Sequence, residues 1–142
     1  MLDLHYEELA LHKSSVPLAP QYDLYLARDA RGEVLCVTLR EEGKLVGYFV
    51  GFVAPGMHYS TCLTLIMDIY FVHPDYRRGT GGIKLFKAVE AEAKRRGVQR
   101  MFVGSKLHKD SSRLFEALRY ERVEVTYSHW LGETPTPARE ED

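Results

Sequence analysis

With 142 residues, 45% of them hydrophobic and 27% charged, the chain has the composition of one soluble globular domain. A formal net charge of −1 gives no footing for nucleic acid as the main partner, and no apolar run approaches the ~20 residues of a membrane span. No signal-peptide pattern opens the sequence, and Cys36 and Cys62 match no metal spacing, so the expectation is a cytoplasmic protein without metal, its two thiols reduced and buried.

In chain order, Leu2 to about Lys13 reads as a helix with Leu2, Tyr6 and Leu9 on one face. Pro17 and Pro20 punctuate it, and Gln21 to Ala30 reads as a second helix with Tyr22, Tyr25 and Leu26 inward. After a turn at Arg31-Gly32, Val34–Arg40 and Lys44–Val53 are strand-like and joined as a hairpin across Glu41-Glu42-Gly43. Ala54-Pro55-Gly56 breaks the second strand, and Thr61–Val72 forms a third. Ile83, Phe86, Val89 and Ala93 follow helical spacing, closed by Lys94-Arg95-Arg96 and a C-terminal Gly97. Met101–Ser105 is predicted as a strand, Ser111–Leu118 as a helix and Val123–Leu131 as a last strand. Residues 1–131 are expected to form a single domain, and 132–142 a disordered acidic tail.

The densest chemistry lies at Tyr70-Phe71-Val72-His73-Pro74-Asp75-Tyr76-Arg77-Arg78-Gly79-Thr80-Gly81-Gly82-Ile83-Lys84-Leu85-Phe86. An apolar strand ends in a turn, and a basic, glycine-rich loop opens directly into an amphipathic helix. Unpaired N–H groups, the positive end of the helix dipole and nearby arginines make a cradle for a phosphorylated ligand. A P-loop requires Gly-Lys-Ser/Thr, whereas Gly82 is followed by Ile83-Lys84-Leu85. A dinucleotide fingerprint requires a third glycine where Lys84 stands, and an antiparallel meander precedes this loop rather than a βαβ repeat.

The loop resembles the acetyl-CoA loop of the Gcn5-related N-acetyltransferase (GNAT) family, whose pattern is Arg/Gln-x-x-Gly-x-Gly/Ala after a strand and a His-Pro-x-Tyr-like turn. Arg77-Arg78-Gly79-Thr80-Gly81-Gly82 matches it with Thr80 in the first glycine position, and the resemblance extends over roughly residues 34 to 127. It implies an α/β (α+β) fold with a central mixed, mostly antiparallel twisted sheet flanked by helices. It also implies an acetyl-CoA-dependent N-acetyltransferase that moves an acetyl group directly onto a primary amine. The sequence is expected to open in the first helix of this fold rather than in the strand that usually precedes it, which implies either a shorter sheet or a bare edge covered by a partner chain in a homodimer.

Under this resemblance, the backbone of Tyr70, Phe71 and Val72 would pair with the pantetheine arm of CoA. Arg77, Arg78, Gly79, Thr80, Gly81, Gly82 and Ile83 would hold the pyrophosphate, although a solvated basic rim is an alternative for the two arginines. Lys84 and Lys87 are placed to reach the 3′-phosphate or simply to solvate a helix face. Asp68, four residues before Val72, takes the position of a catalytic base; its alternative is a solvent-facing or ion-paired carboxylate. His58 and Tyr59, in the connection before that strand, would border the acceptor pocket or serve as a lid contact. His108 is a loop histidine near the start of the last helix.

The usual tyrosine acid has no counterpart in place. Leu114-Phe115-Glu116-Ala117-Leu118-Arg119-Tyr120 puts Phe115 in the tyrosine slot and Arg119 in the glycine slot. Tyr127, Tyr120 or a water is left to protonate the departing thiolate. A second reading follows from this loss: a GNAT-fold protein that binds acyl-CoA or a partner without transferring the acyl group. No feature of the sequence selects the acceptor.

Overall fold

The structure, a computed structural model, describes residues 1–132; all but the first residue of the expected acidic tail lies outside the described residues. The described residues pack as two compact units, Tyr22–Ser105 and Met1–Gln21 with those from Lys106 to Gly132.

The larger unit is organised by its hairpin. Glu42 and Gly43 both adopt left-handed φ, 48° and 80°, the conformation of a two-residue turn whose twist matches that of the strands it joins. Strand β1 (Val34–Glu41) therefore pairs antiparallel with β2 (Lys44–Pro55), and β2 pairs antiparallel with β3 (Leu63–Val72). Strand β4 (Arg100–Phe102) adds parallel to β3, completing a mixed four-stranded sheet in the order β1-β2-β3-β4. The first four expected strands agree with these within a few residues at each end.

Helix α3 (Gly81–Arg95) buries Leu85, Phe86, Val89 and Ala93. Its Phe86 ring meets Phe49 and Tyr70 edge-on, with centroids 5.6 and 5.0 Å apart, and Phe49 and Tyr70 are direct cross-strand partners. The helix closes on Gly97 at φ 82°, with the Val98 amide donating to the Ala93 carbonyl and the Gly97 amide to that of Lys94. Arg96 donates to the Val34 carbonyl at 2.7 Å, tying this end of the helix to β1.

On the sheet's other face lies a helix at Tyr22–Ala30, α2 in chain order after α1 (Leu2–Leu9). Its inward stripe differs from the expected one. Tyr22 and Leu26 are 60% and 68% exposed, while Tyr25 and Arg28 cover Phe52. The Arg28 guanidinium sits 4.0 Å from the Phe52 ring centroid and also pairs with Glu33. A cation used as a cover is invisible to a hydrophobic-spacing rule. Cys36, expected to be buried, is exposed in β1, and both cysteines are free thiols.

In the smaller unit, α1 stops at Leu9 instead of Lys13, because the Tyr6 hydroxyl donates to the Val16 and Lys13 carbonyls and folds the chain back. Val123–Leu131 forms no strand; its alternating pattern finds no ladder. His12 instead engages this segment through Ser128 Oγ at 3.0 Å and the Trp130 ring at 5.7 Å. Helix α4 (Ser112–Ala117) ends in the same closure as α3, with the Tyr120 amide on the Phe115 carbonyl at 2.9 Å and the two rings stacked. Here the left-handed residue is Arg119, at φ 65°. A side chain in that region costs roughly 1–2 kcal/mol. Arg119→Gly should therefore raise stability to urea unfolding by about 1 kcal/mol; an equal or lower midpoint would show that the turn carries no such strain.

Candidate functional site

Strand β3 is paired on both edges only at its start. Thr64, Leu65 and Ile66 lie opposite Arg100, Met101 and Phe102, whereas from Met67 to Val72 the ladder runs to β2 alone. Among the described residues, no strand lies against the other edge of β3 in its second half, which leads straight into the glycine loop. Main-chain groups along such an edge are a template for an extended ligand.

The strand end is fixed before the loop begins. The His73 amide donates to the Val46 carbonyl at 2.8 Å, and a single 3₁₀ turn, Pro74–Tyr76, follows, in which His73 Nδ1 accepts from the Asp75 amide. Arg77 then folds back, its Nε donating to the Val72 carbonyl at 2.7 Å and its guanidinium 5.2 Å from the Phe71 ring. Arg77 therefore braces the strand end, a third option beside phosphate contact and solvated rim.

From Arg78 to Ile83, no described group accepts a hydrogen bond from a backbone amide. Thr80, at the N-cap of α3, makes no side-chain cap bond, so the first turn of a 15-residue helix keeps its donors and its positive end unanswered. A Cβ placed on Gly79 would meet nothing within 4 Å, and one on Gly81 would come 3.2 Å from Leu39 Cδ2. The cradle is open on its ligand side and matches the chemistry of a pyrophosphate.

Asp68 stands on a β-bulge. Val50 pairs with Ile69 and Gly51 with Met67, so β3 carries one extra residue between them, and that residue is Asp68. Gly51 has no room for a side chain: a Cβ would lie 2.7 Å from Leu65 Cδ1 and 2.9 Å from Phe49 Cε1. The Asp68 carboxylate is exposed, and its Oδ2 accepts a hydrogen bond from the Tyr25 hydroxyl of α2. Burial first, and then this bond to a carboxylate, push the Tyr25 hydroxyl up to about 12, so it remains a donor at neutral pH. Among the described residues no cation pairs with Asp68, contrary to the ion-paired alternative.

His58 and Tyr59 stand apart from this group. His58 and Tyr59 occupy the connection at the start of β3, and Tyr59 packs near the Arg100 guanidinium at 5.2 Å. At ~3.3 Å per residue, that end of the 10-residue strand lies roughly 30 Å from the glycine loop. Tyr127 is 90% exposed in the smaller unit, where Phe115 is buried beneath its stack with Tyr120. Tyr25 was not anticipated as a partner of Asp68. Nothing local in the sequence links residues 43 apart.

Residues 2–119 match the model of the acetyltransferase (GNAT) family, and the chain belongs to that family. Among solved structures, it resembles an aminoglycoside acetyltransferase, meta-AAC0020, from an uncultured soil metagenomic sample in complex with sisomicin. That likeness has 16% identity and a TM-score of 0.68 over 92% of this chain and 84% of the other. The aminoglycoside N-acetyltransferase AAC(6')-Iy in complex with CoA aligns at 16% identity and TM-score 0.60, over 78% and 87% of the two chains. A ribosomal-protein-alanine N-acetyltransferase from Brucella melitensis biovar Abortus 2308 aligns at 17% and 0.60, over 80% and 82%. At these identities the likeness is one of fold. No curated protein matches the chain by sequence.

The open space at Gly79 separates ligand effects from folding effects. Gly79→Asp should change stability by no more than about 0.5 kcal/mol. It should nonetheless weaken CoA binding at least ~10-fold by putting a negative charge into the amide cradle. Calorimetric titration with CoA is the check, and undiminished affinity would place the anion elsewhere.

Proposed function

We propose that this chain is an acetyl-CoA-dependent N-acetyltransferase acting on a primary amine by direct transfer. The observation that carries the reading is the run of unclaimed amides from Arg78 to Ile83 at the end of a half-paired strand, with Asp68 bulging from the same strand. The backbone of Tyr70, Phe71 and Val72 takes the pantetheine arm, and the amides take the pyrophosphate. Acceptor binding is assigned to Asp68 rather than to His58 and Tyr59, which precede the start of β3.

An alkyl ammonium reaches the site protonated. Asp68 attracts it and accepts one proton, which frees the nitrogen lone pair for the thioester carbonyl. The new C–N bond forms, the C–S bond breaks, and CoA leaves as a thiolate that takes its proton from Tyr127 or from water. The amide product sheds the remaining extra proton to solvent. Residues 1–131 are proposed to work as one domain, and a family match running through both units supports this.

Phe115 favours one further reading. Buried and stacked on Tyr120, it has no proton to give, so a fold-mate that binds acyl-CoA without turnover keeps a specific observation in its favour.

Titration of the ligand-free protein with acetyl-CoA, and with CoA, NAD and ATP as controls, should show saturation by the two CoA species alone. Thiol release with sisomicin and with an alanine-terminated peptide then separates turnover from mere binding. Asp68→Asn should leave CoA affinity unchanged and cut turnover more than ~10-fold, since base assistance contributes ~10²–10⁴. Equal rates would remove Asp68 from the mechanism, and saturable CoA binding without thiol release would favour the binding protein.

A further inference from the structure

We infer that Tyr25 is a positioning residue for acetyl transfer, holding the Asp68 carboxylate so that one oxygen is engaged and the other is presented to the acceptor ammonium. This rests on the reading of Asp68 as proton acceptor.

The argument begins with the bulge. An extra residue in β3 carries Asp68 out of the ladder register, and an exposed carboxylate on such a residue is free to turn about its side-chain bonds. The Tyr25 hydroxyl engages Oδ2 and leaves Oδ1 as the available acceptor. Tyr25 is itself fixed. Its ring lies 5.8 Å from that of Phe52, and Arg28, one helical turn on, covers the same ring at 4.0 Å. A two-residue turn at Arg31-Gly32, with Gly32 at φ 74°, ties α2 to β1.

A phenol suits this task better than a cation would. Lysine or arginine beside Asp68 would neutralise it, repel an incoming ammonium and oppose proton uptake. A neutral hydroxyl orients the carboxylate while leaving its whole charge for the acceptor. The charged groups near Tyr25 are Asp68 from β3 and Arg28 from its own helix, and Arg28 is drawn toward Glu33 at 3.3 Å.

The test compares the parent, Tyr25→Phe, Asp68→Asn and the double variant. Phenylalanine keeps the ring on Phe52, so folding is retained. Ethanolamine at high concentration serves as acceptor, because it needs no recognition beyond its ammonium, and thiol release from acetyl-CoA gives the rate. Tyr25→Phe should lower kcat about 10-fold with CoA affinity within two-fold. In the Asp68→Asn background, the same change should alter kcat by less than about two-fold, because both act through one carboxylate. Independent, multiplied losses would overturn the proposal, as would full turnover in Tyr25→Phe beside a slow Asp68→Asn. Full turnover in Asp68→Asn, or a parent rate no faster than buffer, would instead overturn the reading on which it rests. Phenolate absorbance, taken as parent minus Tyr25→Phe, needs no acceptor. It should place Tyr25 ionisation near pH 12 in the parent and lower in Asp68→Asn; the same position in both would mean the bond is absent in solution.

Discussion

One extra residue in β3 sets most of what is distinctive in this molecule. The bulge at Asp68 shifts the alternation of the strand, so that Leu65 and Met67 before it share a face with Tyr70 and Val72 after it. Tyr70 can then meet Phe86 of α3, while Phe71 points to the other face and packs near Tyr48. Gly51 is the counterpart of this distortion on β2, since any side chain there would collide with Leu65 and Phe49. The same bulge carries the carboxylate towards α2. Core packing and candidate chemistry therefore depend on a single irregularity, as bulges near active sites often do.

Beyond the bulge, the strand delivers a second property. A paired edge would have no use for an extended ligand, and a capped helix would have no use for an anion. Here β4 stops after three residues, and the first turn of α3 has neither an acidic residue nor a side-chain cap. Both omissions lie at the same end of β3. A strand edge that donates and accepts, continued by amides that only donate, follows the chemistry of an amide-bearing arm attached to a pyrophosphate. Arg77 contributes by bracing the Val72 carbonyl, so the cradle depends on backbone more than on basic side chains.

What was legible in the sequence was local. The turn at Glu41-Glu42-Gly43 is legible because Gly43 takes positive φ without the steric cost a side chain brings. The glycine loop and the amphipathic run to Gly97 are legible for the same reason. Arg119 is an instructive case: the family position asks for glycine, and the backbone keeps the left-handed conformation even with arginine there. What failed was non-local. Val123–Leu131 alternates like a strand, but a strand exists only with a ladder. The inward face of α2 departs from its hydrophobic spacing because Arg28 covers Phe52 with a cation, and that spacing does not count cations. Chain order puts His58 and Tyr59 at the start of β3, whereas the glycine loop follows its end.

The missing acid and the newly found tyrosine bear on each other. With Phe115 buried, no tyrosine stands where relatives are expected to protonate the thiolate. Tyr25 does not fill that vacancy, because its proton is committed to Asp68 and burial further disfavours losing it. Under the proposed mechanism, what it provides is order on the acceptor side of the reaction. A thiolate is a far better leaving group than an alkoxide or amide anion and can depart unassisted, whereas an ammonium cannot attack until it has lost a proton. Of the two proton transfers in the proposed mechanism, the chain would equip the one that the chemistry cannot omit.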